Sequence, residues 1–508
     1  MQSKVVSARE AVDSIRDKST VVSCGCENLL LPEKVLTELE NRFLETGHPR
    51  DLTEIHPIIN GMGPGLGLEH FAHEGMTRCT IGSGFSYLKT SKMTGLLRAE
   101  KIPAYIIPMG TVFQMLSNIA SGEKLTLSRV GINTFVDPDV EGGCMNKIAS
   151  NTLCRKIVLE GEEYLAYDNP KIDVAIIRGT TSDEFGNISM EEEPVNLGVM
   201  TMAMAAKACG GKVIAQVKRL SKRSSIPPRQ VLVPGIMVDM VVVDENQSTT
   251  GGDVLNPALT GEIRMPVSKL DPLPLDVSKV VSRRAAKEIR RENAVVNLGV
   301  GIPVNIPMIQ VEDNTDIGTI FFPEHGSIGG VPGDRSIFGT NVNPEAIIDS
   351  TNVFHFFRGG GLTQSFLGFG EIDQYGNVNV SKFNGIVPGC GGFIDIAHRT
   401  EKLVFCGNFS AGGAVVEIEN KKLVIKNEGK YHKFVNKVEQ ITLNGQEALK
   451  KGQDVTYVTE RAVFKLTEKG LKLIEYAPGV DIRKDIVELI PFPIIVENPA
   501  LMDENLFC

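Results

Sequence analysis

Glu324 is the residue whose position best suits covalent or acid–base chemistry. The apolar stretch 319–322 predicts a buried strand, and Pro323 and Glu324 follow it directly. A carboxylate on a stiff loop at the end of a buried strand is partly desolvated, so it can act as a base or as a nucleophile that forms an acyl intermediate. The same position also suits a turn glutamate that caps a helix starting near Ser327. Spacing alone leaves both interpretations open.

Glycine-rich loops provide further candidate ligand sites in the same part of the chain. Residues 295–303 predict a strand that runs into a glycine turn, and residues 389–392 (GCGG) follow a turn and precede another apolar stretch. Glycine lets backbone N–H groups approach a ligand closely, and parallel α/β sheets bind ligands beyond the carboxyl ends of their strands. Both loops are therefore candidate partners of Glu324.

An internal repeat organises the elements that carry these loops. The pattern at 15–25, a helix followed by a short apolar strand ending in glycine, recurs 274 residues later at 289–299. The turn at 183–188 (DEFGNI) recurs 190 residues later at 373–378 (DQYGNV). Because the offset falls from 274 to 190, the first half contains 84 extra residues between its two landmarks.

The repeat predicts two homologous open α/β domains. We place the first at 1–269, a linker at 270–276, where two prolines break regular structure, and the second at 277–508. Short strands rich in Val and Ile alternate with helical patterns such as 196–209, which favours mostly parallel sheets covered by helices.

Composition excludes several functional classes. The 508 residues are 42% hydrophobic and 23% charged, which indicates a globular protein with a sizeable core and not a disordered chain. A net charge of −9 argues against a nucleic-acid partner, and no apolar run reaches the ~18 residues of a membrane span. The first residues lack the apolar core of a signal peptide, and nine scattered cysteines suggest reduced thiols, so we expect a cytoplasmic location.

Taken together, the motifs resemble the family I CoA-transferases, above all the fused-chain acetate or propionate CoA-transferase branch related to succinyl-CoA:3-ketoacid CoA-transferase. The resemblance keeps its order over nearly the whole chain. It rests on the second-half segments 297–303 (NLGVGIP), 324–332 (EHGSIGGVP), 343–349 (NPEAIID), 359–362 (GGGL) and 389–395 (GCGGFID), and on the first-half segments 108–111 (PMGT) and 233–239 (VPGIMVD).

The resemblance implies an active site between the halves, with Glu324 as the catalytic nucleophile. It also implies backbone donors to the thioester oxyanion at Gly391, Gly392, Met109 and Gly110, and a turn against the CoA arm at Asn297, Gly299 and Gly301. No metal, and no cofactor beyond the substrate coenzyme A, is expected.

The sequence departs from the family pattern at three places. His325 follows the nucleophile where the family commonly has Ser or Asn, the segment 24–26 (CGC) keeps one glycine of a cluster, and Leu30 stands where glycine is usual. We expect these changes to affect substrate preference more than reaction type.

The implied reaction moves CoA from an acyl-CoA to a small carboxylic acid, such as acetate, another short-chain acid or a 3-keto acid, through a glutamyl-CoA thioester. The implied partners are these substrates and further copies of the chain, as a dimer or tetramer. Two alternatives remain: an acyl-CoA hydrolase on the same scaffold, and a catalytically silent CoA-binding protein.

Three other segments contain residue types that could serve a function. The glycine-rich stretch 61–67 matches neither a Walker loop nor a dinucleotide fingerprint. His70 and His73 share one helix face with Glu74, but no further ligands are evident, so a structural or substrate-contact role is expected over metal binding. The basic run 218–223 predicts a solvated loop, with contact to CoA phosphates as the alternative.

Overall fold

A computed structural model describes residues 3–61, 63–150, 153–250, 255–267, 271–289, 291–333, 337–383 and 385–508. Met62 of the glycine-rich stretch, Leu270 of the predicted linker and Arg290 of the repeat lie outside these residues. In the part described, no helix is both long and apolar enough to cross a bilayer.

The described residues of the first half alternate between helices and strands. They form helices α1 (Ala8–Asp13), α2 (Glu33–Thr46), α3 (Lys92–Arg98), α4 (Met109–Ala120) and α5 (Val199–Ala208), and strands β1 (Thr20–Ser23), β2 (Leu52–His56), β3 (Thr77–Gly82), β4 (Ala104–Ile106), β5 (Leu125–Ser128), β6 (Cys154–Leu159), β7 (Glu162–Asp168), β8 (Val174–Asp183), β9 (Ile188–Ser189), β10 (Lys212–Ser221) and β11 (Met240–Val243).

The second half repeats this alternation and ends in a longer series of strands. Its helices are α6 (Val277–Ala286), α7 (Ile306–Glu312), α8 (Ser350–Arg358), α9 (Phe393–Arg399), α10 (Gly445–Lys450) and α11 (Ile482–Asp485). Its strands are β12 (Val295–Leu298), β13 (Ile320–Phe321), β14 (Ser327–Ile328), β15 (Val331–Pro332), β16 (Asn341–Val342), β17 (Ala346–Ile347), β18 (Gln364–Gly368), β19 (Glu371–Ile372), β20 (Val378–Asn379), β21 (Lys402–Cys406), β22 (Ser410–Ala411), β23 (Val415–Glu419), β24 (Lys422–Asn427), β25 (Tyr431–His432), β26 (Asp454–Val458), β27 (Ala462–Thr467), β28 (Gly470–Tyr476) and β29 (Ile495–Leu501).

Each half is built on one large, mostly parallel sheet, as the sequence predicts. The first sheet has the order β11-β10-β8-β1-β2-β3-β4, all parallel, with β9 pairing antiparallel to β8. The second has the order β13-β12-β18-β21-β26-β27-β28-β29 and is parallel from β13 to β26. All ten residues of β8 are buried, as expected for a central strand covered on both faces.

The repeat seen in the sequence is also a repeat of structure. The strand order β10-β8-β1-β2 in the first sheet corresponds to β21-β18-β12-β13 in the second. Asp183 accepts the backbone N–H and the side-chain amide of Asn187, and Asp373 accepts the same two groups of Asn377. The domain boundaries placed at 269 and 277 stay a prediction.

The extra residues of the first half lie between β1 and β8. There the chain adds β3 and β4 to the sheet and forms a separate three-stranded sheet of order β5-β7-β6. In the second half, the described residues between β12 and β18 instead form β13 and two short antiparallel pairs, β14–β17 and β15–β16.

Helices α4, α5, α8 and α9 pack together where the two halves meet. Phe113 of α4 stacks on Phe354 of α8, with ring centroids 5.9 Å apart. Buried apolar residues of both halves belong to one large continuous core, so the halves share most of their hydrophobic interior.

A buried ion pair fixes the interior of the first half. Arg178 on β8 binds Glu193 through two hydrogen bonds of 2.9 and 3.1 Å and donates to Leu31 O at 3.0 Å. Both charged side chains are almost fully buried. Burial raises the pKa of Glu193, and the Arg178 guanidinium opposes that rise.

We expect Glu193→Gln to lower the free energy of unfolding by ~3–5 kcal/mol, because it leaves the Arg178 charge buried without its partner. Urea denaturation measures the change. As a control, Glu419→Gln breaks an exposed pair with Lys426, and it should leave the urea midpoint unchanged because exposed pairs contribute little. Equal midpoints for the two variants would contradict the structural role of the buried pair.

Candidate active site

Glu324 lies on a rigid turn directly after β13. Its side chain is only 8% exposed. Gly326 has a φ of +105°, and a Cβ there would lie 2.0 Å from Ile348 O, so only glycine fits this turn. Ser327 and Ile328 form strand β14, which pairs with β17, so the alternative interpretation of Glu324 as the cap of a helix starting near Ser327 is wrong.

Asn297 holds the carboxylate of Glu324 in place. Its Nδ2 atom donates to Phe322 O at 3.1 Å and to Glu324 Oε2 at 3.3 Å. The side chain is fully buried and does not line the cavity into which Glu324 opens. Asn297, predicted as a CoA contact, therefore orients the carboxylate in this structure.

A cavity of about 630 Å³ opens beside Glu324. Of the other residues predicted for the site, Gly299, Gly391 and Gly392 line it, whereas Gly301 does not. The remaining walls are largely aromatic and aliphatic and include Tyr87, Phe338, Phe369, Phe383, Phe393 and Ile396. The volume falls within the ~300–1,000 Å³ of typical small-molecule sites.

The predicted backbone donors differ in whether their N–H groups are available. The N–H of Gly391 donates to Ser83 O at 2.9 Å, and that of Met109 donates to Gly391 O at 3.1 Å. The N–H of Gly110 donates to Asp395 Oδ2 at 2.8 Å. Gly392 lines the cavity, and its N–H has no acceptor within the part of the chain described, so Gly392 is the remaining candidate for the oxyanion donor.

The loop at 389–392 is supported by close contact between its backbone and the backbone of the first half near Gly84. A Cβ on Gly84 would lie 2.0 Å from Pro388 O, and one on Gly389 would lie 2.3 Å from Gly84 Cα. Ser83 and Gly84 are therefore site residues that the sequence motifs do not predict. The available signal was the pair of glycines at 82 and 84 after an apolar strand, which resembles the other glycine turns.

Asp395 connects the first turn of α9 to the first half. It is fully buried and accepts 2.8 and 2.6 Å hydrogen bonds from Arg358, in addition to the bond from Gly110. Arg358 also donates to Thr111 Oγ1 at 2.6 Å. Burial raises the pKa of Asp395, and the Arg358 guanidinium opposes that rise. Met109 and Gly110 thus do not line the cavity, and their N–H groups instead position the start of α9 through Gly391 O and Asp395.

His325, the departure from the family pattern, is a wall-supporting residue. Its ring packs edge-on against Phe338, with centroids 5.4 Å apart, and a Cβ on Gly339 would lie 2.6 Å from the ring. Burial lowers the pKa of His325, which keeps the imidazole neutral near pH 7. His325 therefore shapes the cavity through Phe338.

Lys433 brings a half-buried positive charge to the same cavity. Its Nζ donates to Phe369 O at 3.2 Å and lies 4.8 Å from the centroid of the Phe369 ring. Burial lowers the pKa of Lys433 to about 8. With Lys430 and His432 on the same wall, this side of the cavity suits an anionic or strongly polar part of a ligand.

The two histidines and the basic run do not line this cavity. His70 binds Glu33 and Glu40, and His73 binds Glu40, while the described residues contain no cluster able to hold a metal ion. The basic run was predicted as a loop, but 218–221 form the end of strand β10, where Lys218 and Arg219 pair with Glu192.

Comparison with known proteins agrees with this geometry. Residues 5–244 match the family described as Coenzyme A transferase. Acetate CoA-transferase YdiF of Escherichia coli O157:H7 is 40% identical over 506 residues, covering 99% of this chain and 95% of that protein. Caffeate CoA-transferase of Acetobacterium woodii is 40% identical over 520 residues, covering 99% and 97%.

The fold is shared with solved structures of the Escherichia coli O157:H7 acyl-CoA transferase YdiF. The apoenzyme and a thioester complex with CoA each match with a TM-score of 0.94 and 38% identity, over 100% of this chain and 96% of that chain. Mouse mitochondrial succinyl-CoA:3-ketoacid coenzyme A transferase 2B is more distant, at 24% identity over 92% of this chain and 85% of that protein. As its motifs predict, the chain belongs to the Coenzyme A transferase family and is a CoA-transferase.

Proposed function

We propose that this CoA-transferase uses Glu324 as a covalent nucleophile to move CoA from an acyl-CoA to a small carboxylic acid. The observation that carries the proposal is the placement of Glu324. The carboxylate accepts a hydrogen bond from Asn297 and lines a cavity that Gly392, whose N–H has no acceptor among the described residues, also lines. A positioned nucleophile and a backbone donor at one cavity are what acyl transfer requires.

The reaction follows from these groups. The Glu324 carboxylate attacks the thioester carbonyl, and collapse of the intermediate releases CoA thiolate and leaves an acyl–glutamyl anhydride. The N–H of Gly392 stabilises the oxyanion, a contribution of ~3–4 kcal/mol for a well-placed donor. The thiolate then attacks the glutamyl carbonyl, which frees the carboxylic acid and leaves a glutamyl-CoA thioester. A second acid reverses these steps and departs as the new acyl-CoA.

The cavity favours transfer over hydrolysis. Both the anhydride and the thioester react with water, so water must be kept from Glu324. The nucleophile is largely buried, and Phe338, Phe393 and Tyr87 contribute apolar wall beside it. The wall formed by Lys430, His432 and Lys433 supports binding of the polar CoA arm, whose binding energy offsets strain at the reacting centre.

Relatives guide the remaining parts of the proposal. Acetate and caffeate are acceptors named for two relatives of 40% identity, and a thioester complex with CoA has been solved for YdiF. We propose acetate or another short-chain acid as the acceptor here, and no cofactor beyond coenzyme A. We also propose that the enzyme is a homo-oligomer and that it is located in the cytoplasm.

The covalent route predicts a CoA adduct on Glu324. Mixing the protein with acetyl-CoA or propionyl-CoA, with no acceptor acid, should add the mass of CoA less one water, and adding acetate should discharge it. Intact-protein mass spectrometry measures both steps. Glu324→Gln should form no adduct, whereas Glu371→Gln, which changes another carboxylate lining the same cavity, should still form one.

Other outcomes of this experiment identify the alternatives. Thiol release that needs no acceptor acid, without an adduct, would indicate an acyl-CoA hydrolase. CoA binding with neither adduct nor turnover would indicate a silent binding protein.

The structure also predicts how Asn297 acts. In Asn297→Ala the carboxylate of Glu324 loses its orienting donor, so we expect kcat to fall by about 10- to 100-fold with little change in KM for acyl-CoA. Asn297→Asp replaces the donor with a second carboxylate and should slow adduct formation further. Steady-state kinetics separate the two roles, since a raised KM with unchanged kcat would instead indicate the CoA contact that the sequence predicts.

A further inference from the structure

A second cavity, of about 620 Å³, lies between the two halves and shares no lining residue with the Glu324 cavity. The first half contributes Gln114 of α4, the end of β5 and the residues after it. The second half contributes the ends of α8 and α9 and the residues after α10. Its charged and titratable lining residues are Arg129, Arg358, His398, Arg399, Lys451 and Glu401.

Positive charge in this cavity exceeds the negative charge available to balance it. Arg358 is paired with Asp395, and Arg129 is paired with Glu162. Neither Arg399 nor Lys451 forms a salt bridge with any residue that the structure describes. Glu401 is the single acidic residue among the described lining residues.

Burial and the excess of positive charge together lower the pKa values of two titratable groups in the cavity, His398 and Lys451. Burial and the charges of four cations, Lys451 first among them, lower the pKa of His398 to about 3. Burial also lowers the pKa of Lys451, and Arg129 and Arg399 lower it further while Glu447 opposes them. Cations held together in a concave site repel one another, and a bound anion relieves that repulsion.

We propose that this cavity binds a small oxyanion carrying two or more negative charges, held between Arg399 and Lys451. Guanidinium groups match the geometry of phosphate and carboxylate oxygens, and lysine supplies a point charge. A phosphate ester and a dicarboxylate present the same chemistry to these groups. This cavity is separate from the Glu324 cavity, so a bound oxyanion does not compete directly with the acyl-CoA substrate.

Isothermal titration calorimetry of the full-length protein with inorganic pyrophosphate tests the site, with succinate as the second probe. In the double variant Arg399→Gln/Lys451→Gln, pyrophosphate affinity should fall about tenfold or more, since each lost charge removes a direct contact. The matched control Lys422→Gln/Lys437→Gln removes the same net charge from exposed positions elsewhere and should bind as the unmodified protein does. Pyrophosphate binding without succinate binding would identify the phosphate ester as the source, and the reverse would identify the dicarboxylate.

Competition with coenzyme A decides where the anion sits, even if the double variant is unstable. The unmodified protein saturated with coenzyme A should still bind pyrophosphate. Full displacement by coenzyme A would place the anion in the Glu324 cavity and overturn the proposal. Absence of pyrophosphate binding, or an equal loss of affinity in both double variants, would also overturn the proposal. Arg399 and Lys451 would then serve to balance the negative ends of the helix dipoles of α9 and α10.

Discussion

Hydrogen bonds from helix N-termini of the first half to carboxylates of the second half, one buried and one half-buried, set the geometry on which the site depends. Asp395 accepts the N–H of Gly110 at the start of α4, and Asp349 accepts the N–H of Gly198 at the start of α5, at 2.8 and 3.1 Å. A negative charge is stabilised at the positive end of a helix, and Arg358 further balances Asp395. A Cβ on Gly110 would lie 2.6 Å from Asp395 Oδ1, so the absence of a side chain at position 110 allows the two halves to approach this closely. These contacts tie the start of α9, and with it Gly392, to the first half, and Gly392 lines the same cavity as Glu324.

The two halves share a fold but have divided the chemistry between them. Val22 pairs with Ile55 in the first sheet, and Val296 pairs with Phe321 in the second. Continuing that register places Ile58 of the first half at the position of Glu324. The first half therefore has an apolar side chain where the second has its nucleophile, and it contributes to the site by packing against the loop 389–392 and by adding Tyr87 to the cavity wall.

Local patterns are enough to predict the strands, their parallel arrangement and the position of Glu324 at a strand end. They fail where a distant partner decides the structure. A strand replaced the helix expected near Ser327 because 327–328 pair with 346–347. The Gly391 N–H was predicted to face the oxyanion, yet it donates to Ser83, a residue of the other half. The sequence gives no spacing rule for contacts across roughly 300 positions.

The Asn297 contact shows how the site reconciles two demands on a carboxylate nucleophile. A carboxylate is a weak nucleophile, and each strong hydrogen bond to it withdraws electron density from the attacking oxygen. A freely rotating carboxylate, however, loses the advantage of a fixed angle of attack. The hydrogen bond from Asn297 is long, at 3.3 Å, and reaches one oxygen, Oε2. It therefore orients Glu324 with little cost to its reactivity, while the apolar walls of the cavity leave the other oxygen without competing protein donors in the described structure.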